Sequence, residues 1–262
     1  GWSSVHTIGF GGISIILLTA FVARQATARN PLLPLSMFKP RNVWGANLIQ
    51  FLLVAGMLGF FFMSSLYLQR VLGLNPLEIG IAFMPVALTI GLLSLGVSAR
   101  VTTRFGARRV LLPSLALIAA GLALYIRMPV HSSYVIDLLP GMLLIGVGAG
   151  LVFPALATLA MSSATERDSG LASGLLNTTA QVGGALGLAV LATVAASQTD
   201  ALLASGDGGA AALAGGFRAV FGISTGLLVA GILLSALVLR PVAVPQQQPQ
   251  ESEEETTAED AA

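Results

Sequence analysis

The stretch GLASGLLNTTAQVGGALGLAVLATV, Gly170 to Val194, decides the fold. It contains no Asp, Glu, Lys or Arg and is long enough to cross a bilayer, for which about 20 mostly apolar residues suffice. On a helix, Asn177 and Gln181 stand one turn apart, with Gly170, Gly174, Gly184 and Gly187 expected along nearly the same side. Lipid tails are as apolar as Leu, so a membrane helix gains nothing by hiding Leu; small residues mark the side on which backbones approach one another. The stretch therefore reads as a helix inside a bundle, with its amides turned from lipid.

The rest of the chain agrees. Hydrophobic residues make up 55% and charged residues 10%, against about 25% charged in an ordinary soluble domain. Reading between charges gives seven candidate spans: Thr7 to Ala23, Val43 to Leu68, Ile79 to Ala99, Val110 to Ile126, Leu138 to Ala160, Leu171 to Ala196 and Ala219 to Leu239. The fold class is all-α, a polytopic transmembrane helix bundle of seven spans. Pro31, Pro34 and Pro40 divide the segment after the first span, so residues 26–42 read as a linker between an isolated helix (1–25) and a six-helix unit (43–240). Residues 241–262, rich in Pro, Gln and Glu without apolar periodicity, read as a disordered acidic tail. The Ala-, Gly- and Ser-rich stretch SQTDALLASGDGGAAALAGG reads as a mobile loop between the last two spans. The start at Gly1, directly before an apolar run, is what a piece of a longer polypeptide would show.

Charge supplies the orientation. With the tail in the cytoplasm, inside loops hold Arg24, Arg29, Lys39, Arg41, Arg100, Arg104, Arg108, Arg109, Arg167 and Arg240, leaving only Arg70, Arg127 and Arg218 outside. That distribution follows the positive-inside rule, and the opposite orientation inverts it. The expected setting is a multi-pass plasma-membrane protein with an outer N-terminus and a cytoplasmic C-terminus.

Polar groups within the spans are few. Asn47 and Gln50 share a face of the second span, and Asn177 and Gln181 share a face of the sixth. Two readings stay open for them: interhelical bonds worth about 0.6–2 kcal/mol each, or the lining of a wet cavity. Ser64, Ser65, Thr178 and Thr179 are weaker signals, since a hydroxyl can bond its own helix. Gly146 and Gly150, like Gly222 and Gly226, have the GxxxG spacing of close helix packing. The turn SARVTTRFGARRV places Arg100, Arg104, Arg108 and Arg109 around Gly106; it reads either as a topogenic anchor near anionic lipid or as a clamp on a neighbouring helix end. No carboxylate sits mid-span, no cysteine exists, and His6 and His131 lie apart, so no catalytic group, metal site, cofactor or nucleic-acid partner is expected and an enzyme is disfavoured.

The linker PLLPLSMFKPRN, the segment SLYLQRVLGLNPLEIGIAFMP, the glycine-rich LLPGMLLIGVGAGLVFPAL and SGLASGLLNTTAQVGGALGLAVLATV together resemble the C-terminal half of a fourteen-helix drug:proton antiporter of the major facilitator superfamily. The resemblance runs from Gly1 to about Leu239. It implies that the first span is one linker helix and that the other six form the C-terminal bundle of the major facilitator fold. The second and fifth helices would face a central cavity, the third and sixth would slide on the missing N-terminal half, and the fourth and seventh would lie outermost. Substrate-cavity candidates are then Asn47, Gln50, Ser64 and Tyr67; bundle-interface candidates are Gly174, Asn177, Gln181, Gly184 and Gly187. The implied function is proton-coupled export of lipophilic or cationic drugs by alternating access, with protons, small substrates, the lipid bilayer and the missing half as partners. Two departures weaken parts of this. Thr103 and Ala99 stand where the family's basic-loop motif has Asp and Gly, although Arg104, Gly106 and Arg108 match, and Ala180 stands where members often carry Arg. A seven-helix receptor or sensor is the alternative; its short outer segments speak against it, and Lys39, the only lysine, lies in a loop, which excludes a retinal Schiff base.

Overall fold

The computed structural model describes residues 4–28, 35–130, 132–162 and 168–240. Residues 29–34 of the linker, His131, Arg167 and the tail 241–262, each given an expectation above, lie outside the described residues. Among the described residues, seven helices are long and apolar enough to cross a membrane: α1 (Val5–Thr27), α2 (Arg41–Arg70), α3 (Pro76–Phe105), α4 (Ala107–Tyr125), α5 (Tyr134–Ala160), α6 (Ser169–Ala204) and α7 (Gly209–Val238). Their starts follow local chemistry. The Ser4 side chain accepts from the Thr7 amide at the head of α1. At the head of α3, Asn75 and Glu78 exchange side-chain to backbone bonds in a capping box, with Pro76 just inside the helix where its missing N–H is not needed.

The six helices α2 to α7 form one bundle, and α1 is exposed along its span. The packing follows an exchange pattern: α2 lies on α6 and α7, α5 lies on α3 and α4, and α2 meets α5 and α4 meets α7 between the two sets. Swapping the triplet α2–α4 for α5–α7 maps the major contacts of α2 onto those of α5. That is the arrangement expected of two three-helix repeats nested in one six-helix unit. At the junction of α2, α4 and α7 an aromatic core forms, with Phe60 5.3 Å from Tyr125 and 6.2 Å from Phe221, and Tyr125 5.3 Å from Phe221.

Glycines set how closely the helices approach. A Cβ on Gly183 would stand 2.7 Å from the Phe51 carbonyl oxygen, and one on Gly187 would run into Ala55, so α6 meets the backbone of α2 directly. On α5, Gly141 and Gly148 face α4, while Gly146 and Gly150 face Thr89, Ile90 and Leu93 of α3. The same GxxxG spacing in α7 does nothing of the kind: Gly222 and Gly226 have no neighbour within 4 Å.

Two expectations are corrected. Only Ser205 to Gly208 separate α6 from α7, because α6 runs on to Ala204 and α7 starts at Gly209. Alanine is the best helix former, and Gly215 and Gly216 let the extended end of α7 dock on Ala195, Thr199 and Leu202, so the supposed mobile loop is helical. The basic turn is also mostly helix: α3, after a π-helical turn at Leu93–Val97, continues to Phe105, and Gly106 alone makes the bend. Its φ of 83° and ψ of 142° are close to a region open essentially to Gly.

If these seams hold the bundle, Gly183→Ala and Gly187→Ala each cost about 1–3 kcal/mol through overpacking. Gly174→Ala, at a site with open space around it, is neutral or gains up to about 1 kcal/mol of helix propensity. Thermal unfolding of the three variants in detergent checks the contrast.

Candidate functional site

The spans enclose four polar side chains spread along α2. On α2, Asn47, Gln50, Ser64 and Tyr67 are all buried, at 6%, 9%, 1% and 1% exposure. The Asn47 Nδ2 donates to the Val43 carbonyl at 2.8 Å, and its Oδ1 accepts from the Thr179 hydroxyl of α6 at 3.0 Å. Asn47 is therefore hydrogen-bonded to its own helix and to α6. The Gln50 Oε1 and the Ser64 hydroxyl are buried without a hydrogen-bond partner among the described residues. Tyr67 donates to the Pro129 carbonyl at 2.7 Å and lies 2.6 Å from the Ser132 hydroxyl. None of the four opens on the surface of the chain. What α2 does present outward is an apolar stripe, with Trp44, Leu48, Leu58 and Phe62 all exposed.

On α6, the residues grouped along one side of the sequence divide between two. Gly174, Asn177 and Gln181 are exposed, and Gly174 has open space around it. Gly184 and Gly187 face α2 instead, against Leu58 and Ala55. At 100° per residue, Gly187 lies about 120° around the helix from Gln181, whereas Gly184 lies only about 20° from Asn177, so the glycine seam borders the amide pair, which lies toward the exposed side. Together α3 and α6 are the least covered helices of the six-helix bundle, with 11% and 22% of their spans buried, against 56% for α2 and for α5.

The two ends of the bundle are closed by side chains gripping backbone carbonyls. At one end, Asn42 at the head of α2 exchanges two bonds with Arg240 after α7, its Nδ2 donating at 3.2 Å and its Oδ1 accepting from the Arg240 amide at 2.8 Å. Arg108 at the head of α4 donates to the Ala236 carbonyl at 2.8 Å. The last turn of a helix carries unsatisfied carbonyls and partial negative charge, so a guanidinium is well placed there. Arg108 thus reaches the last turn of α7. Arg100, Arg104 and Arg109 are exposed.

At the other end, Arg218 of α7 donates to the Met128 carbonyl at 2.8 Å, and Tyr134 donates to the Ala82 carbonyl at 2.7 Å. Tyr125 donates to the Leu138 carbonyl at 2.5 Å. With Tyr67, all three tyrosines of the chain tie down the α4–α5 connection and its neighbours. Tyr125, Tyr134, Asn42 and Arg218 were not singled out from the sequence. The signal was available for the tyrosines: each falls near a span end, where aromatic residues gather at membrane interfaces. Groups of three or more His, Asp or Glu able to hold a metal are absent among the described residues.

Comparison with known proteins adds the family context. The family model described as Major Facilitator Superfamily matches residues 1–188. The chain is 34% identical over 197 residues to the puromycin resistance protein pur8 of Streptomyces alboniger, covering 74% of this chain and 39% of that protein. It is 32% identical over 193 residues to the tetracenomycin C resistance and export protein of Streptomyces glaucescens, covering 73% and 35%. With the cephamycin export protein CmcT of Amycolatopsis lactamdurans the identity is 34% over 203 residues, covering 74% and 42%. The chain thus spans about two fifths of the length of the curated relatives it matches.

A double-mutant cycle on Asn47→Leu and Thr179→Val reads the seam directly. The coupling energy expected from unfolding in detergent is about 0.6 kcal/mol, the usual worth of a hydrogen bond between membrane helices. A coupling of zero would mean the two side chains do not meet.

Proposed function

The chain belongs to the major facilitator superfamily, and on that premise we propose that it is the C-terminal six-helix half, preceded by one linker helix, of a transporter that exports lipophilic or cationic drugs in exchange for protons by alternating access. Membership in a family of membrane transporters sets an enzyme aside, and a receptor gains no support from relatives named for resistance and export. The observation that carries the reading is the uneven covering of the bundle. Four helices interlock, whereas α3 and α6 leave most of their apolar surface uncovered, with the exposed amides of Asn177 and Gln181 upon it. Amides facing hydrocarbon are costly. Docking a second bundle against α6 removes that cost and gives the two halves a surface on which to rock.

In this reading the substrate meets the outward stripe of α2, Trp44, Leu48, Leu58 and Phe62, which suits lipophilic and cationic compounds through apolar contact and aromatic faces. Asn47, Gln50, Ser64 and Tyr67 hold that helix from behind. The described acids, Glu78, Asp137, Asp168, Asp200 and Asp207, lie at helix ends or in connections rather than mid-span. The carboxylate that binds the transported proton then belongs to the N-terminal half. The end bearing Arg41, Arg100, Arg104, Arg108, Arg109 and Arg240 faces the cytoplasm of the plasma membrane.

Two measurements test this. In proteoliposomes with a proton gradient, a protein carrying both halves accumulates a fluorescent lipophilic cation and loses it on adding a protonophore, whereas the chain alone accumulates none; gradient-driven uptake by the chain alone would overturn the reading. In resistance assays Phe62→Ala changes which compounds are exported, while Asn47→Leu lowers the amount of folded protein and leaves the spectrum of compounds unchanged.

A further inference from the structure

Where α3 ends and α4 begins, a crevice of about 270 Å³ opens between the two helices. Its walls are Val101 and Phe105 of α3 and Pro113 and Leu117 of α4, its floor is Leu151 of α5, and Arg109 stands at its mouth. Ser114 also lines it, but its hydroxyl is turned back to the Val110 carbonyl at 2.7 Å, so the lining offers apolar surface. From Arg109 to Leu117 the crevice follows α4 for about 12 Å, from the helix end into the depth of the hydrocarbon.

The charges around the mouth are left over after the bundle is built. Arg108 is committed to the Ala236 carbonyl. Arg100, Arg104 and Arg109 are exposed, and among the described residues no carboxylate pairs with any of them. Thr103, within this cluster, spends its hydroxyl on the Ala99 and Arg100 carbonyls at 3.0 Å. The Arg104 guanidinium lies 5.5 Å from the ring centre of Phe105, so one charge rests against the exposed aromatic wall of the crevice. The guanidiniums of Arg104, against Phe105, and of Arg109, in the lining, stand at one end of an apolar crevice, so its charged and apolar parts are adjacent.

We propose that this crevice binds an anionic phospholipid, its phosphate held by Arg104 and Arg109 and one acyl chain seated between Phe105 and Leu117. Guanidiniums take phosphate oxygens in bidentate geometry, and basic pockets between membrane helices suit anionic head groups. A zwitterionic lipid fills the slot equally well but brings its own cation to the arginines. A soluble phosphate satisfies the charges and leaves the apolar walls bare. The site lies on the α3–α4–α5 side, away from the α2–α6 seam and the outward stripe of α2.

The test places a reporter in the wall. Phe105→Trp, in the protein reconstituted in nanodiscs, is compared with the parent chain so that quenching of Trp2 and Trp44 is subtracted. Phosphatidylglycerol brominated on its acyl chains quenches the reporter several-fold more than brominated phosphatidylcholine at equal mole fraction. Arg104→Gln and Arg109→Gln, made in the reporter background, each lower that preference about fivefold, the worth of one basic residue near a charged surface, and Arg→Lys at the same positions restores most of it. Equal quenching by the two lipids, or a preference unchanged in both Gln variants, would overturn the proposal. So would loss of the preference on adding soluble glycerol phosphate, which would make the site one for free phosphate. Should a Gln variant fail to fold, native mass spectrometry of the unaltered protein decides, since retention of phosphatidylglycerol no better than phosphatidylcholine also overturns it.

Discussion

Hydrocarbon offers no hydrophobic reward for packing one helix on another, and it leaves no water to satisfy a stray backbone group. Cohesion must therefore come from close approach. In this bundle that approach is made by glycine. Gly183 and Gly187 bring α6 onto the main chain of α2, Gly141 and Gly148 bring α5 onto α4, and Gly146 and Gly150 bring α5 onto α3. Where a Cβ would meet a carbonyl oxygen at 2.5–2.8 Å, as at Gly148, Gly183 and Gly121, no other residue serves without moving the helix.

Once the middle of the bundle is assigned to close packing, polar chemistry is pushed to its ends. Three tyrosines and Arg218 take up carbonyls at one end, and Asn42 and Arg108 close the other around the last turn of α7. These bonds fix relations among helices distant in sequence, since α7 is held both by the start of α2 and by the start of α4. Apart from the Asn47–Thr179 bond and buried polar side chains such as Gln50 and Ser224, the bundle is apolar and glycine-packed across its thickness and hydrogen-bonded at its rims.

This division explains what the sequence could reveal. All seven spans were legible, because the cost of a charge in hydrocarbon makes charge-free runs conspicuous in one dimension. Which way each span faces was not. A soluble helix advertises its buried side by contrast with a polar one, but here lipid-facing and bundle-facing sides are both apolar, so periodicity carries little direction. The two GxxxG pairs show the consequence: identical spacing at Gly146/Gly150 and Gly222/Gly226 corresponds to tight packing in one case and open space in the other. The amides suffered the same ambiguity, with Asn47 sealed against α6 and Asn177 and Gln181 exposed. The end of α6 was obscured differently, since SQTDALLASGDGG has the composition of a loop yet all of it but residues 205–208 is helix, supported by alanine propensity and the docking of Gly215 and Gly216.

The exchange pattern of contacts gives the uncovered surfaces their meaning. If α2–α4 and α5–α7 are equivalent triplets, the middle helix of each, α3 and α6, occupies the equivalent place, packed on the first helix of the other triplet and open on the remaining side. One internal symmetry thus produces both open apolar surfaces, the ones on which the proposed second bundle would dock. The symmetry is incomplete: α6 also packs along α7, whereas α3 has no comparable contact with α4. That missing contact is what leaves space at the α3–α4 junction. A bundle built from two copies of one motif thus leaves a symmetric pair of open surfaces and, where the copies differ, a crevice with Arg109 in its lining.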